Sequence, residues 1–300
     1  MNISKMYDIT WKLKGKSLSS LCYKINKFMV NKLYSKTVKL SWGLDEKSDV
    51  IVSLTSFPAR IETVWITIAT VLNQTVKPGK IILWLADDQF PDREKNLPRK
   101  LLELKRYGLT IRFCDNLYSH KKYYYTMLEN PESTVITVDD DVFYPEYLIE
   151  ELLKISKKHP RTVCCTWAHR ITTDENNRTL PYEMWKHCVA DGNTPELLLM
   201  PVGIGGVLYP PHVLYEHVFD KEKLSEVALM ADDLWLKAME ILENVMAVRI
   251  EKKYRKTYFT IINTQKSSLN KVNVGKQKND EAIHLIENMY PQVIEKLMRG

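Results

Sequence analysis

The sequence predicts an α/β protein whose mixed, mostly parallel sheet is flanked by helices. Apolar runs rich in β-branched residues alternate with segments of helical spacing, and such alternation is typical of βαβ units. The predicted strands of the first half cover residues 50–57, 80–86, 109–114 and 134–138, with helices over 60–72, 97–107 and 122–129 between them.

Turn residues mark the ends of these elements. Pro58 ends the first strand, Pro78-Gly79 forms the turn before the second, and Gly108 closes the helix over residues 97–107. Proline cannot continue a hydrogen-bonded ladder, and glycine readily takes the left-handed conformation that follows a helix. The unbroken apolar character of residues 134–138 is typical of a strand that is buried on both faces.

The second half of the chain alternates less regularly. It contains predicted helices over residues 145–158, 231–243 and 281–298, and a strand over residues 162–166. Between them, residues 200–211 hold three glycines within four positions, at Gly203, Gly205 and Gly206. Glycines permit positive φ and close approach of the backbone. This segment is therefore either a bulged strand with a tight turn or a loop whose backbone lies against a ligand.

Length and composition predict one main domain with two appendages. The chain has 300 residues, of which 45% are hydrophobic, enough for a full core. The composition shifts place a basic segment at residues 1–46, the main domain at 47–262, and a loop and helix at 263–300. No apolar run approaches the roughly 18 residues of a membrane span. Five cysteines without a C-x-x-C pair indicate free thiols in a reducing compartment, so we expect a cytoplasmic protein.

Positive charge is concentrated at the start of the chain. Residues 1–44 hold nine lysines and one aspartate, a net charge of +8, whereas the whole chain has +6, so the rest comes to −2. Apolar residues recur there at three- and four-residue steps: Leu18, Leu21, Cys22, Ile25, Phe28, Met29 and Leu33. This pattern predicts a basic amphipathic helix, which either lies on an anionic membrane surface, packs on the main domain or mediates self-association. Without an arginine-rich patch, we expect no nucleic-acid partner.

Three consecutive carboxylates, Asp139, Asp140 and Asp141, directly follow the predicted strand at residues 134–138. Open α/β sheets bind ligands at the carboxyl ends of their strands. Alternate residues of an extended chain face the same way, so Asp139 and Asp141 can address one object while Asp140 points elsewhere. Hard carboxylate oxygens suit Mg²⁺ or Mn²⁺. The alternative is an acidic turn after an edge strand.

A second acidic pair, Asp232-Asp233, opens the predicted helix at residues 231–243. Acidic residues at a helix N-terminus also serve as plain caps that complement the helix dipole. Neither a G-x-G-x-x-G after the first strand nor a P-loop motif is present, so the dinucleotide-binding and P-loop classes lose their main support.

In their order along the chain, these motifs resemble nucleotide-sugar glycosyltransferases of the GT-A type. The motifs are Ser53-Leu54-Thr55-Ser56-Phe57-Pro58-x-Arg60, then Val138-Asp139-Asp140-Asp141, then Gly203-x-Gly205-Gly206, then Ala231-Asp232-Asp233-Leu234-Trp235. The chain is similar to bacterial capsule and lipopolysaccharide glycosyltransferases and, more remotely, to the exostosin-like hexosaminyltransferases. The resemblance covers roughly residues 49–262 and rests on order and spacing, since each motif is short.

The resemblance implies a role for each motif. Asp141 and Asp139 would contact the metal, Mn²⁺ or Mg²⁺, which stabilises the charge on the leaving diphosphate. In inverting members the second acid of the pair is the general base toward the acceptor, a role that maps to Asp233 with Asp232 beside it. The exostosin-like enzymes retain the anomeric configuration, and the alternative for Asp233 is an electrostatic role. The remaining donor contacts would be Thr55, Phe57, Arg60, Asp115, Asn116, Lys122, Asp139 and Asp140.

The resemblance also implies sites for the acceptor and for closure of the donor site. Gly205, Gly206, Trp235 and His169 are the expected acceptor contacts, although a packed histidine is the more frequent outcome for His169. A polar loop at residues 270–278, with Lys271, Lys276 and Lys278, is expected near the diphosphate, and His284 near the metal. A surface loop and a packing helix are the alternative.

These observations together predict a metal-dependent transferase for surface-polysaccharide assembly. The donor would be a nucleotide sugar, most simply a UDP-sugar, and the acceptor a saccharide carried on a lipid at the inner face of the membrane. A nucleotidyltransferase of sugar activation also uses paired acids and a metal on an α/β sheet. It predicts a glycine-rich basic loop after the first strand, where this chain has Thr55-Ser56-Phe57-Pro58. A non-catalytic carbohydrate-binding module on the same fold is the third candidate.

Overall fold

Seven strands form one mixed sheet in the order β3-β2-β1-β4-β8-β5-β9, which confirms the predicted fold class. The computed structural model describes residues 2–13, 16–175, 178–250, 258–264 and 278–297. The strands of this sheet are β1 (Val50–Thr55), β2 (Lys80–Ala86), β3 (Leu109–Cys114), β4 (Thr134–Thr137), β5 (Val163–Cys165), β8 (Val207–Tyr209) and β9 (Ala247–Arg249). Two further strands, β6 (Ala168–Arg170) and β7 (Leu199–Pro201), form a separate antiparallel pair.

The direction of the strands brings three chain segments to one edge of the sheet. Strands β3, β2, β1 and β4 are parallel, whereas β8 runs antiparallel between β4 and β5. Thr137 at the end of β4 is paired with Ser53 of β1 and with Val207, the first residue of β8. The acidic cluster after β4, the loop after β1 and the glycine segment before β8 therefore meet.

Ten described helices pack around the sheet. They are α1 (Ile3–Lys12), α2 (Lys16–Thr37), α3 (Val64–Leu72), α4 (Arg99–Glu103), α5 (Lys121–Glu129), α6 (Leu148–Lys158), α7 (Lys221–Val227), α8 (Asp232–Leu242), α9 (Lys278–Met289) and α10 (Gln292–Leu297). The helix predicted over residues 97–107 tightens into a 3₁₀ turn (Leu104–Tyr107) before Gly108, whose φ is +113°. The helix predicted over residues 281–298 is interrupted at Pro291, which cannot donate to the preceding turn.

The basic N-terminal segment packs on the main domain. Ile3 and Tyr7 of α1 and Val30 and Tyr34 of α2 are buried in the same apolar cluster as β1 and β4. The Tyr7 hydroxyl donates to the carbonyl of Phe143 at 2.8 Å and accepts from the amide of Phe259 at 2.5 Å. Such buried hydroxyl bonds fix α1 against the chain that follows the acidic cluster. Among the described residues, no helix combines the length and apolarity that a bilayer span needs.

Helix α8 lies in the core of the second half. Its residues from Leu234 to Leu242 are buried, and Trp235 is fully enclosed, with its indole nitrogen donating to the Val218 carbonyl at 3.2 Å. Apolar burial around the whole helix holds its N-terminus firmly. This positions Asp232 and Asp233 at the edge of the sheet where the acidic cluster lies.

Candidate functional site

A cavity of about 1150 Å³ opens at the carboxyl edge of the parallel strands. Its size is at the upper end for a small-molecule site. It brings together most of the residues that the sequence analysis assigned to a site: Thr55, Phe57, Arg60, Asn116, Lys122, Asp139, Asp140, Asp141, His169, Asp232 and Asp233. Two ionic clusters lie in its wall, one around Arg60 and one around Lys122.

The Arg60 cluster joins the loop after β1 to the acidic run after β4. The Arg60 guanidinium lies 2.5 Å from Asp140 and 3.3 Å from Asp141. Ser56 donates to the second oxygen of Asp140 at 2.6 Å, and Thr264 donates to Asp141 at 3.2 Å. Arg60 also lies over the Phe57 ring, 5.5 Å from its centre. The guanidinium is therefore already paired with carboxylates, whereas the resemblance implies that Arg60 contacts the donor.

Burial dominates the titration of both carboxylates in this cluster. It raises the pKa of Asp140 against the opposing charge of Arg60. It likewise raises the pKa of Asp141 to about 6, again partly offset by Arg60. An additional cation beside Asp141 would favour its ionised form.

The Lys122 cluster unites three segments that are distant in sequence. The Lys122 ammonium, at the start of α5, lies 3.1 Å from Asp139 and 2.7 Å from Asp232. The amide of Gly203 donates to both carboxylate oxygens of Asp233, at 3.2 and 3.1 Å. A β-carbon at Gly203 would lie 2.7 Å from the lysine nitrogen and 3.1 Å from an Asp233 oxygen, so a side chain at this position would displace the lysine ammonium.

The two adjacent aspartates of α8 titrate in opposite directions. Burial disfavours the charged form of Asp232, but the charges of Lys122 and His120 and the local hydrogen bonds together outweigh burial and lower its pKa to about 2. Burial and then the charge of Asp232 raise the pKa of Asp233 to about 7, against the pull of Lys122. Two neighbouring carboxyls whose pKa values are pushed apart are typical of sites that transfer protons.

Aromatic and imidazole rings form another wall of the cavity. Trp167, His169, Tyr182 and His187 line it, with the two histidine rings 4.4 Å apart and Tyr182 5.1 Å from His187. His169 accepts from the amide of Cys188 at 3.0 Å, and burial lowers its pKa to about 4, so the ring is neutral at pH 7. His169 is therefore packed and also lines the cavity, so its position is compatible with both sequence-based alternatives, a packed histidine and an acceptor contact.

Three predicted acceptor residues do not face the cavity. Gly205 is buried, its β-carbon position is 2.5 Å from the Thr166 hydroxyl, and its carbonyl accepts from that hydroxyl at 2.8 Å. Gly206 has a φ of +86° and packs against Leu148. Trp235 is fully buried in the core. These residues meet packing and backbone requirements, and only Gly203 of the glycine segment touches the ionic clusters.

Two further predicted positions lie apart from the cavity lining. Asp115 is exposed and pairs with Lys221 at 2.6 Å, whereas its neighbour Asn116 lines the cavity. His284 is exposed on α9, whereas Asn279 of the same helix lines the cavity. The predicted lysine loop at residues 270–278 lies outside the described residues, apart from Lys278.

The described part of the chain contains no group of three or more His, Cys, Asp or Glu side chains arranged to hold a metal ion. A nucleotide-bound Mg²⁺ needs only one or two protein carboxylates, since phosphate and water supply the other oxygens. Asp139 and Asp141 both line the cavity, and the donor set is of the right chemical type. The residues therefore fit a metal that is held jointly with a phosphate ligand.

Of the four rings that form the ring wall of the cavity, sequence reasoning identified only His169, and it missed the link from α9. Tyr182 lines the cavity, and its amide donates to Asp280 of α9 at 2.6 Å. Tyr182 and His187 lie in an irregular segment without periodicity, so no pattern marked them. The tight fit of Gly203 against Lys122 is a tertiary contact that no local motif predicts.

Comparisons with known proteins add a distant structural likeness. No protein-family model matches the chain, and no curated protein matches it. Among solved structures, it is similar to a CMP:2-keto-3-deoxy-manno-octonic acid synthetase complexed with CTP. The TM-score is 0.39 at 12% identity, covering 77% of this chain and 98% of that one. A likeness of this degree carries no inference about chemistry or substrate.

Proposed function

We propose that the protein is a metal-dependent glycosyltransferase that moves a sugar from a nucleotide sugar to a saccharide acceptor. The observation that carries the proposal is the Lys122 cluster, in which the D-x-D residue Asp139 and the acidic pair of α8 share one cavity. The reaction needs a site for a diphosphate beside a carboxylate that can take a proton from a hydroxyl group. The two ionic clusters supply these functions side by side.

The charge balance of the cavity supports a metal-bound diphosphate. Among the described residues, six acidic side chains line the cavity (Asp139, Asp140, Asp141, Glu183, Asp232 and Asp233) against three basic ones (Arg60, Lys121 and Lys122). Arg60 and Lys122 already pair with carboxylates. An anionic diphosphate would be repelled unless a cation came with it. Asp139 and Asp141 would hold Mn²⁺ or Mg²⁺, which when bound neutralises the charge that grows on the leaving diphosphate.

The donor nucleoside would occupy the β1 end of the cavity. Phe57 lines the cavity there, and Asn116, whose side chain bonds to Asp88, lies next to the end of β3. Thr55 donates to the Trp84 carbonyl at 2.8 Å, so its hydroxyl fixes the start of the loop and is not a free ligand donor. We assign Asp140 to holding Arg60, since both its oxygens are engaged by Ser56 and Arg60.

The acceptor would lie between the ring wall and Asp233. Sugar rings stack on aromatic faces, and Trp167 and Tyr182 present such faces to the cavity. The ionised Asp233 takes the proton from an acceptor hydroxyl, whose oxygen bonds to the anomeric carbon as the bond to the diphosphate oxygen breaks. A base with a pKa of about 7, raised by burial, is well matched to this transfer near neutral pH. Gly203 orients the carboxylate through its amide.

A sugar-activating nucleotidyltransferase is the second candidate. The synthetase named above is of that class and is described with bound CTP. Such an enzyme would join a nucleoside triphosphate to a sugar and release pyrophosphate. Against it, the segment Thr55-Ser56-Phe57 contains no basic residue, and Arg60 is neutralised by two carboxylates. A carbohydrate-binding module without activity would bind saccharides but would release no nucleotide product.

Product analysis distinguishes the three candidates. The purified chain is incubated with Mn²⁺ and a panel of nucleotide sugars and saccharides, and in parallel with CTP or UTP plus free sugars and sugar phosphates. Release of a nucleoside diphosphate, lost in Asp233→Asn, supports the glycosyltransferase. Pyrophosphate release identifies the nucleotidyltransferase. Saccharide binding without either product, on a folded protein, identifies the binding module.

A further inference from the structure

Helix α2 has two opposite apolar faces, and only one of them packs on the part of the protein that the structure describes. Its inward face carries Val30 and Tyr34, which are buried, and Tyr23, whose hydroxyl donates to the Tyr258 carbonyl. The outward face carries Leu18, Leu21, Ile25 and Phe28, with exposed fractions of 54, 56, 53 and 55%, and Met29 beside them at 38%. Steps of three and four residues place these side chains in one stripe. A 22-residue helix with such a stripe exposed marks an interaction surface.

The charge on the same helix indicates the kind of partner. Helix α2 contains five lysines and no acidic residue. Lys24, Lys32 and Lys36 are exposed, and Lys32 lies over the Phe28 ring, 5.6 Å from its centre. Lysines that border an exposed apolar stripe can contact phosphate head groups while the apolar side chains enter the lipid.

We propose that the outward face of α2 binds the surface of an anionic lipid bilayer. A second copy of the chain fits this face less well, because a two-fold contact would bring lysines against lysines. Lipid satisfies both parts of the surface at once, since acyl chains cover Leu21, Ile25 and Phe28 and anionic head groups neutralise the lysines. The proposal stands independently of the reaction that the cavity catalyses.

The inward contacts of α2 connect this surface to the site. The Lys27 ammonium donates to the Thr260 hydroxyl at 2.6 Å, and Asn31 donates to the Thr260 carbonyl at 3.1 Å. The same short segment, Tyr258 to Thr264, bonds to Asp141 through the amide of Ile261 and the hydroxyl of Thr264. A lipid surface on the outward face would thus lie about one helix diameter, roughly 10 Å, from the segment that supports Asp141.

Vesicle co-sedimentation of the full chain tests the proposal. The probes are phosphatidylcholine vesicles with and without phosphatidylglycerol, at low and high salt. We expect binding to the anionic vesicles that weakens with salt, because salt screens the lysine contacts. The triple variant Leu21→Ser/Ile25→Ser/Phe28→Ser should weaken this binding by about tenfold or more. Moving about two methylene groups from water into lipid strengthens binding by a factor of about ten, and the variant loses at least that much apolar surface. Lys24→Gln/Lys32→Gln should weaken it about tenfold, and chiefly at low salt.

A matched control removes exposed apolar side chains elsewhere. Leu128 and Met246 are 53 and 47% exposed and lie outside α2, so Leu128→Ser/Met246→Ser should bind vesicles as the wild type does. Because all these positions are exposed, the variants should fold, which circular dichroism checks. Equal vesicle binding by wild type and the triple variant would overturn the proposal. The proposal would also be overturned if the wild type bound no vesicles but formed a concentration-dependent dimer that the triple variant does not form. Nucleotide binding in solution is measured separately and can fail or succeed without affecting this outcome.

Discussion

The two ionic clusters in the cavity wall differ in how completely their charges are compensated. Arg60 faces two carboxylates, and hydroxyl groups of Ser56 and Thr264 satisfy further oxygens. Lys122 is surrounded by three carboxylates, and among the described residues only the Gly203 amide donates to Asp233. The first cluster is suited to a fixed support for a ligand. The second retains one carboxyl group, Asp233, whose pKa near 7, raised by burial and by Asp232, allows it to exchange a proton.

Removal of the Lys122 charge should give the largest effect on stability. Lys122→Met leaves Asp139, Asp232 and Asp233 without their common cation, and unpairing a buried ion typically costs about 3–5 kcal/mol. Urea unfolding measures the loss. The control is Lys121→Met, because the Lys121 ammonium donates to the Asn116 side chain and the Tyr118 carbonyl and should cost only about 1 kcal/mol. Similar losses in both variants would contradict the central role of Lys122.

The two aspartates of α8 should respond oppositely to neutralisation. The lowered pKa of Asp232, caused by Lys122, means that its charge stabilises the fold above pH 4, so Asp232→Asn should lower the unfolding free energy at pH 8 by about 1–3 kcal/mol. The raised pKa of Asp233, caused by burial and Asp232, means that stability is lost as the pH rises from 4 to about 7. Asp233→Asn should therefore gain on the order of 1 kcal/mol at pH 8.

Thermal unfolding of both variants at pH 5 and pH 8 checks this pair of signs. The gain of Asp233→Asn should shrink at pH 5, where the wild-type carboxyl is already protonated in the folded protein. Equal destabilisation by the two substitutions at pH 8 would contradict the opposite pKa shifts of Asp232 and Asp233.

Much of the fold could be predicted from sequence, because strand and helix periods are local properties. Strands β1 to β5 lie where the apolar runs predicted them. The sequence alone does not decide whether the glycine segment leads into the antiparallel strand β8 or forms a loop, because glycines permit both. Pairing with β4, a tertiary contact, decides between them. The carboxylates of the site could be found because they follow a buried strand and open a helix. Their partners Arg60 and Gly203 owe their roles to tertiary contacts, which no local pattern encodes.

Alanine substitutions of Gly203 and Gly206 should have the smallest effects on stability. Together they distinguish a glycine that contacts the ionic clusters from one that meets only a backbone requirement. Gly203→Ala would push against Lys122 and Asp233, so we expect transferase activity to fall by about tenfold or more and stability by about 1 kcal/mol. Gly206→Ala introduces strain at a φ of +86° and should cost about 1 kcal/mol with activity retained. Steady-state kinetics beside thermal unfolding measures both; equal activity in the two variants would remove Gly203 from the site.

Calorimetric titration of UDP in the presence of Mn²⁺, on wild type, Asp141→Asn and Asp233→Asn, tests the division of labour between the clusters most directly. In the proposed reaction, the donor side would require Asp141 for metal-dependent binding, whereas Asp233 would act on the acceptor. We therefore predict binding that EDTA abolishes, that Asp141→Asn loses and that Asp233→Asn retains. Loss of UDP binding in Asp233→Asn alone, with Asp141→Asn unaffected, would contradict this account.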